Sequence, residues 1–382
     1  MAPMSSEPVF VHVGLPKTGT TQLQRILWDN RKNLADKGIV YPGPERAAHY
    51  HGALDLLGSK RSRHPGSWAS LVERARRAEG RVIISHEMLA ALSDDGVASV
   101  VADLAPREVH VLVSIRDFSR IVSATWQERA KNREVEPWPE FLERVAQGPD
   151  GGHAFWRLQD APRIIRQWAD HVPSDRIHVL TIPPLSQDPD LLLRRFAGLV
   201  GFSADDVRVP EQPANQSLGA VEIALLQRIN ALTGDLDWET YRRSIKNFVV
   251  KEFLAPRKDQ VRVVLPESAR SWVLEETQRI SDCVESVGCQ VIGDLAELEP
   301  TGIGAGGGRT TDAPHEVTDA DVADAATRLS VDLVRRRGEG GKGRARSQPT
   351  SASEEEDAKL TARARRGVAR LERAVRARHA RR

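Results

Sequence analysis

A strand, a glycine-containing loop and an amphipathic helix follow one another near the start of the chain. Residues 8–14 read PVFVHVG, a run rich in β-branched side chains that ends in glycine, and this predicts a buried strand. The loop LPKTG follows at 15–19, and residues 20–28, TTQLQRILW, place apolar side chains at helical spacing. Strand, loop and helix in this order open a βαβ unit, which limits the fold to a few α/β arrangements.

Three later segments predict further strands of the same sheet. They are residues 81–85, 108–115 and 176–182, and helical patterns separate each from the next. Strands that alternate with helices predict an α/β fold with a central, mainly parallel sheet covered on both faces. From 217 to 288 the pattern is helical, with Ser217 as the expected N-cap and Gly288 as the expected C-terminal stop.

Composition excludes several classes of protein. Hydrophobic residues make up 40% of the 382 residues and charged residues 28%, as in a globular chain, and no apolar run is long enough to cross a bilayer. The first eight residues lack the basic and apolar regions of a signal peptide, so we expect no secretion. Cys283 and Cys289 fit neither a disulfide framework nor a zinc site, which predicts a reducing, cytoplasmic setting.

Charge is distributed unevenly along the chain. The net charge is only +2, yet residues 338–382 carry 13 Lys and Arg against 6 Asp and Glu, so the tail is basic and the body mildly acidic. The glycine-rich run at 300–308 has the composition of a flexible linker. We therefore predict a folded domain at 1–300, a linker at 301–317 and a charged helical or disordered tail at 318–382.

The loop after the first strand combines the residue types that bind a phosphate group. Residues 14–21 read GLPKTGTT and lie where free backbone N–H groups and the positive end of a helix dipole attract anions. Glycine allows close approach of the backbone, threonine hydroxyls can donate hydrogen bonds, and Lys17 adds a point charge. In a Walker A loop the lysine follows the second glycine, whereas here Lys17 precedes Gly19.

This motif resembles the 5′-phosphosulfate-binding loop of the sulfotransferases that use 3′-phosphoadenosine 5′-phosphosulfate (PAPS). The fuller stretch at 11–24, VHVGLPKTGTTQLQ, is similar to a bacterial branch of that family. The resemblance implies a three-layer, P-loop-like domain, PAPS as the donor, adenosine 3′,5′-bisphosphate (PAP) as the product, and no metal. It implies that Lys17 stabilises charge on the donor's bridging oxygen. The residues implied to bind the phosphosulfate are Lys17, Thr18, Gly19, Thr20, Thr21 and Gln22.

A second anion site is expected where the strand at 108–115 ends. Arg116 follows it, and its guanidinium fork can hold two oxygens of the donor's 3′-phosphate. The family's motif adds a serine eight residues later on the next helix; that position is Ala124 here, and the neighbouring Ser123 is the candidate. In the alternative interpretation, Arg116 pairs with Asp117, which only caps an ordinary helix.

His86 and Glu87 are the candidate bases, since they follow the strand at 81–85. Consecutive side chains on an extended segment point to opposite sides, so we expect only one of them to face the cleft. Animal cytosolic members of the family place a histidine after the corresponding strand, and other branches use a glutamate. The bacterial branch often reads Ser-x-Glu here, which favours Glu87 and leaves His86 as the alternative.

Together these residues predict transfer of a sulfuryl group from PAPS to a hydroxyl or amine of a small-molecule, lipid or glycan acceptor. No specific nucleic acid partner and no membrane span are expected, and the sequence leaves the acceptor and the oligomeric state open. One alternative is a P-loop nucleotide kinase or NTPase in which Asp117 binds magnesium. Another is a non-catalytic scaffold that acts through its basic tail.

Overall fold

The structure is a computed structural model that describes residues 7–58, 64–183, 188, 190–210, 217–304 and 309–344, with side chains described as far as residue 337. Six parallel strands form its central sheet in the order β2-β3-β1-β4-β5-β7. Their bounds are β1 (Val9–His12), β2 (Ile39–Val40), β3 (Arg81–Ser85), β4 (Val109–Arg116), β5 (Ile177–Ile182) and β7 (Gln290–Ile292). Outside this sheet, β6 (Arg262–Val263) pairs with β8 (Thr310–Thr311). All four strands predicted from the sequence are present, as β1, β3, β4 and β5.

Helices cover the sheet and continue beyond it. The helices have these bounds: α1 (Thr20–Asp29), α2 (Arg31–Ala35), α3 (Ala48–Leu56), α4 (Ser67–Arg77), α5 (Asp94–Leu104), α6 (Phe118–Lys131), α7 (Trp138–Ala146), α8 (Trp156–Gln159), α9 (Ala161–Ala169), α10 (Leu191–Val200), α11 (Ala220–Leu232), α12 (Trp238–Tyr241), α13 (Arg270–Val287) and α14 (Asp319–Arg344). Helix α12 continues directly into a π-helical segment, Arg242–Leu254.

Alternate side chains of each strand enter two hydrophobic cores, one on each face of the sheet. Val9 and Val11 of β1 pack in a core to which α4, α5 and α9 contribute. Phe10, between them, packs in the opposite core together with Leu23 of α1 and Phe196 of α10. This alternation is what a sheet buried on both faces requires. The predicted three-layer α/β fold with a parallel sheet is confirmed.

Helix α6 leads from the end of β4 into the C-terminal helices. Asn230 of α11 donates its side-chain amide to the carbonyl oxygen of Ala130 at 2.8 Å. The side-chain oxygen of Gln127 accepts from the N–H of Leu218 at 3.2 Å. These contacts pack α11 and the residues before it against the C-terminal half of α6, the helix that starts where β4 ends.

The helical region predicted at 217–288 is present, but β6 interrupts it. Its first helix begins at Ala220 with Gly219 in the N-cap position, so the expectation that Ser217 caps it is wrong. The N–H of Ala220 donates instead to the carbonyl oxygen of Val261 at 2.8 Å, a contact from a distant segment that fixes where the helix starts. Gly288 ends α13 in the left-handed region, at φ 75°, as expected.

The segment predicted as a linker makes contacts with α6 in its described residues. The N–H and hydroxyl of Thr301 donate to one oxygen of Asp117, and the N–H of Gly302 donates to the hydroxyl of Ser119. The predicted boundaries at 300 and 317 stay predictions. By its contacts the chain divides into two compact units, Met1–Ala325 and Ala326–Arg382. Most of the predicted tail, residues 345–382, lies outside the described residues.

Candidate active site

The loop that follows β1 lies at a topological switch point of the sheet. Strand β1 pairs with β3 on one side and with β4 on the other. The chain runs from β1 to β2 on the β3 side of the sheet and later crosses from β3 past β1 to β4, so the direction of the crossovers reverses at β1. In open α/β sheets, ligands bind in the crevice outside the carboxyl ends of the strands at this point. Glu87 follows β3 and Arg116 ends β4, and both therefore flank residues 14–19, which we call the anion loop.

The backbone of the anion loop is left-handed at three positions. The φ angles are 37° at Gly14, 72° at Lys17 and 83° at Gly19. A Cβ atom on Gly14 would lie 2.5 Å from Cγ2 of Thr20 and 2.9 Å from Nε2 of His12, so only glycine fits there. A left-handed non-glycine residue such as Lys17 is strained by about 1–2 kcal/mol, and such residues cluster at functional sites.

Several backbone N–H groups in and after the anion loop are free to donate to a ligand. The N–H groups of residues 17–21 have no hydrogen-bond acceptor among the described residues. Gly19 occupies the N-cap position of α1, and no side chain caps this helix. A row of free N–H groups at the positive end of a ten-residue helix is an arrangement that suits phosphate or sulfate oxygens.

The hydroxyl groups of this segment are placed less uniformly than the sequence suggests. Thr18 is buried, and its hydroxyl donates to the carbonyl oxygen of Leu15 at 2.5 Å, which closes the loop on itself. Thr20 is also buried, whereas Thr21 is exposed and Gln22 is half-buried. The free backbone N–H groups, more than the Thr18 hydroxyl, are therefore the donors that the loop offers to a ligand.

Arg116 reaches the anion loop from the neighbouring strand. Its Nη1 donates to the carbonyl oxygen of Lys17 at 2.9 Å. Burial, together with nearby Arg120, lowers the pKa of Arg116 to about 10, so the guanidinium stays charged at neutral pH. The structure thus brings together the two cationic residues that the sequence predicted as separate phosphate contacts.

Asp117 is the N-cap of α6, and both of its carboxylate oxygens are occupied. Oδ1 accepts from the N–H and the hydroxyl of Ser119, and Oδ2 accepts from the N–H and the hydroxyl of Thr301. The capping role considered for Asp117 is confirmed. Farther along α6, Ser123 is half-buried and its hydroxyl donates to the carbonyl oxygen of Arg120 at 3.4 Å.

The side chain of Lys17 crosses from the loop to α6. Its Nζ lies 2.7 Å from Oε2 of Glu128, while Nζ of Lys246 lies 2.7 Å from Oε1 of the same carboxylate. Burial raises the pKa of Glu128, but the two lysines outweigh this and lower it to about 2. Sequence reasoning missed Glu128 and Lys246, since they lie 111 positions or more from one of their partners. The scarcity of lysine, ten residues against 45 arginines, is the signal that could have drawn attention to Lys246.

His86 and Glu87 make different contacts at the end of β3. Nδ1 of His86 accepts from the N–H of Met88 at 3.1 Å, which assigns the ring proton to Nε2, and burial lowers the pKa of the ring. Oε2 of Glu87 accepts from the side-chain amide of Gln24 at 3.2 Å. Burial raises the pKa of Glu87, but His86 and the hydrogen bonds to the carboxylate outweigh it, so Glu87 is ionised at neutral pH. Since Gln24 lies on α1, the Glu87 carboxylate is fixed relative to the anion loop.

Beneath the loop, a buried histidine connects three strands. Nδ1 of His12 lies 2.8 Å from the hydroxyl of Ser85 on β3, and Nε2 lies 2.8 Å from the hydroxyl of Ser114 on β4. Burial lowers the pKa of His12 to about 4, so the ring is neutral at physiological pH. His12 therefore supports the carboxyl edge of the sheet and is not accessible to a ligand.

The described residues show neither a group of metal ligands nor a membrane-spanning helix. Within the described ranges, no group of three His, Cys, Asp or Glu side chains is arranged to hold a metal ion. No helix in this part of the chain has the length and apolar character needed to cross a membrane.

Comparisons with known proteins assign this chain to no family. No protein-family model matches the chain, and no curated protein matches it. Among solved structures, a sulfotransferase from Alicyclobacillus acidocaldarius is similar at 17% sequence identity and a TM-score of 0.37, over 62% of this chain and 99% of that chain. At this identity and TM-score the likeness supports no inference about the site or its chemistry.

Proposed function

We propose that this chain transfers a sulfuryl group from PAPS to a hydroxyl or amine of an acceptor. One observation carries the proposal: Arg116 lies 2.9 Å from the backbone of Lys17 at the switch point of the sheet, beside a row of N–H groups without acceptors. Two cationic groups and free N–H donors within one crevice suit a ligand with two anionic groups.

The residues present fit the donor. Its 5′-phosphosulfate oxygens would be held by the N–H groups of residues 17–21 and by the ammonium of Lys17. The guanidinium of Arg116, with Ser123 on the next helix, would hold the 3′-phosphate. When bound, PAPS supplies the sulfuryl group that is transferred.

Lys17 and Glu87 would carry the chemical step. The acceptor's oxygen or nitrogen forms a bond to sulfur while the bond between sulfur and the bridging phosphate oxygen breaks, and PAP leaves. Lys17 would donate to the bridging oxygen, where negative charge develops. Glu87 would take the acceptor's proton, because it is ionised, whereas the neutral ring of His86 already has its Nδ1 lone pair bonded to a backbone N–H.

The geometry disfavours a magnesium-dependent kinase or NTPase. Such an enzyme needs a carboxylate at the strand end to hold the metal. Asp117 is the carboxylate at that place, and hydrogen bonds from Ser119 and Thr301 occupy both of its oxygens. The alternative scaffold role belongs to the basic tail at 338–382, of which residues 345–382 lie outside the described part of the chain.

Replacement of Lys17 tests the proposal. We expect Lys17→Ala to lower the rate of sulfuryl transfer from labelled PAPS, assayed with a panel of phenols, alcohols, saccharides and amines, by about 10²–10³-fold. Lys32→Ala, which removes an exposed lysine of α2, is the matched control and should transfer at the normal rate. Undiminished transfer by the Lys17 variant would refute the role given to this residue.

A further inference from the structure

Four lysines lie close to one another next to the anion loop, and three of them interact with the carboxylate of Glu128. Lys17 and Lys246 both bond Glu128 at 2.7 Å, and Lys131 lies close enough to both of them, to Glu128 and to Lys251 to interact with each electrostatically. We call Lys17, Lys131, Lys246 and Lys251 the lysine cluster. The whole chain has only ten lysines, and these four come from three segments far apart in sequence.

Lys131 shares its surroundings with the three other lysines of the cluster. Lys17, Lys246 and Lys251 repel the ammonium of Lys131, and the carboxylate of Glu128 attracts it. Burial, with this repulsion, lowers the pKa of Lys131 to about 8. Ammonium groups that repel one another attract anions, because an anion relieves their mutual repulsion.

The C-terminal part of the cluster is presented by unusual backbone. Lys246 and Lys251 belong to the π-helical segment Arg242–Leu254. π-Helical turns are rare and occur frequently at functional sites. Nζ of Lys246 also donates to the side-chain oxygen of Asn132 at 2.5 Å, so its ammonium is fixed on the side of α6 that Lys17 reaches.

Lys17 connects the cluster with the proposed donor site. Its carbonyl oxygen accepts from Arg116, while its ammonium extends to Glu128, twelve positions beyond Arg116 in the chain. In the proposed function, the anion loop binds the donor's 5′-phosphosulfate and Arg116 binds its 3′-phosphate. Because Lys246 bonds the same carboxylate as Lys17, it lies beside the group that we assign to the reacting end of the donor, and the acceptor would approach there.

We propose that Lys131, Lys246 and Lys251 hold an anionic group of the acceptor, a carboxylate, sulfate or phosphate. The acceptor is then a hydroxyl or amine compound that already carries negative charge. This inference rests on the proposed sulfuryl transfer, since only that reaction requires an acceptor here.

The test compares acids with their uncharged amides on the full chain saturated with PAP. The probes are 4-hydroxybenzoate, 4-hydroxyphenylacetate and 4-hydroxybenzenesulfonate, each beside its amide, and calorimetry measures their dissociation constants. We expect at least one acid to bind about tenfold or more tightly than its amide, because the lysines attract only the charged member. The carboxylate and sulfonate pairs separate the two kinds of anion.

Variants assign the preference to the cluster. Lys251→Gln changes an exposed side chain and should reduce the preference, and Lys131→Gln/Lys246→Gln should abolish it, with PAP affinity changed less than threefold. Lys32→Gln is the control and should leave both constants unchanged. Thermal unfolding of each variant, with and without PAP, identifies any loss of folding. If the double variant does not fold, the acid–amide comparison with Lys251→Gln alone tests the inference.

Three outcomes would overturn the inference. In the first, no acid binds more tightly than its amide; in the second, the preference for the acid survives in the lysine variants. In the third, the variants weaken the binding of PAP as much as the binding of the acid. The last result would assign the cluster to the donor. Failure of the wild-type chain to bind PAP would instead refute the proposed function, and the acid–amide comparison without PAP would still report on the cluster.

Discussion

At the scale of single residues, Lys17 joins the parts of the site. Its backbone is left-handed, at φ 72°, its carbonyl accepts from Arg116, and its ammonium bonds Glu128. The sequence predicted Lys17 and Arg116 as anion contacts because each follows a strand. It could not predict Glu128, because a glutamate in the middle of a helix carries no pattern that distinguishes it from a solvent-exposed one.

Glu87 and His86 differ in the effect expected from their replacement. Glu87→Gln removes the group that takes the proton, so we expect the transfer rate to fall about 10²–10⁴-fold with PAP affinity unchanged. His86→Gln should change the rate less than tenfold, because the ring is neutral and bonded to the N–H of Met88. Steady-state kinetics with both variants and PAP calorimetry make the measurement. A larger loss in the His86 variant would reverse the assignment.

Glu128 should make the stability of the protein depend on pH. Its pKa is lowered to about 2 in the folded chain from an ordinary 4.5, so the ionised group stabilises the fold above pH 4.5, and this contribution is lost as the pH falls towards 2. Glu128→Gln should therefore lower the free energy of unfolding by at most about 3 kcal/mol at pH 7 and by less at pH 3.5.

Denaturant unfolding at pH 7, 5 and 3.5 measures this difference between the wild type and Glu128→Gln. Glu299→Gln, at an exposed position, is the control and should match the wild type at each pH. A difference that stays constant with pH would mean that the ion pairs with Lys17 and Lys246 contribute nothing.

At the scale of elements, strand and loop signals were more informative than helix boundaries. The run at 8–14 predicted β1 and the anion loop because strand, glycine and helix signals coincide there. Ser217 was wrong as a cap, because a contact from Val261 fixes the start of α11. The π-helical segment Arg242–Leu254 has no sequence signature of its own, so the position of Lys246 could not be foreseen.

The crowding at Gly14 predicts a specific cost for adding a methyl group. Gly14→Ala combines a left-handed φ with contacts of 2.5 Å to Thr20 and 2.9 Å to His12. Gly38→Ala is the matched control, since Gly38 is also left-handed, at φ 74°, but a Cβ there meets nothing within 4 Å. We expect the control to lower the free energy of unfolding by about 1 kcal/mol and Gly14→Ala by at least about 1 kcal/mol more.

Chemical denaturation of both glycine variants measures these differences, and PAP titration provides the functional readout. Only Gly14→Ala should weaken PAP binding, because only Gly14 shapes the anion loop. Equal effects of the two variants would show that the loop accommodates a side chain and that its shape is not required.

At the scale of the whole molecule, the set of major strands was predictable but their order was not. The edge strands β2 and β7 have two and three residues, too few to show a periodic pattern. The order β3-β1-β4 places Glu87, the anion loop and Arg116 side by side, and this follows from the tertiary arrangement of segments about seventy to a hundred residues apart. The C-terminal helices then bring Lys246 to the same site.

The most direct test of the central claim compares PAP with adenosine 5′-phosphate, which lacks the 3′-phosphate. Calorimetric titrations without magnesium use the wild type, Lys17→Ala and Arg116→Ala. We predict that the wild type prefers PAP by about tenfold or more, that Lys17→Ala weakens both nucleotides and keeps the preference, and that Arg116→Ala abolishes it. A preference for PAP that persists in Arg116→Ala, or tighter binding of ATP with magnesium than of PAP, would contradict a single nucleotide held between Lys17 and Arg116.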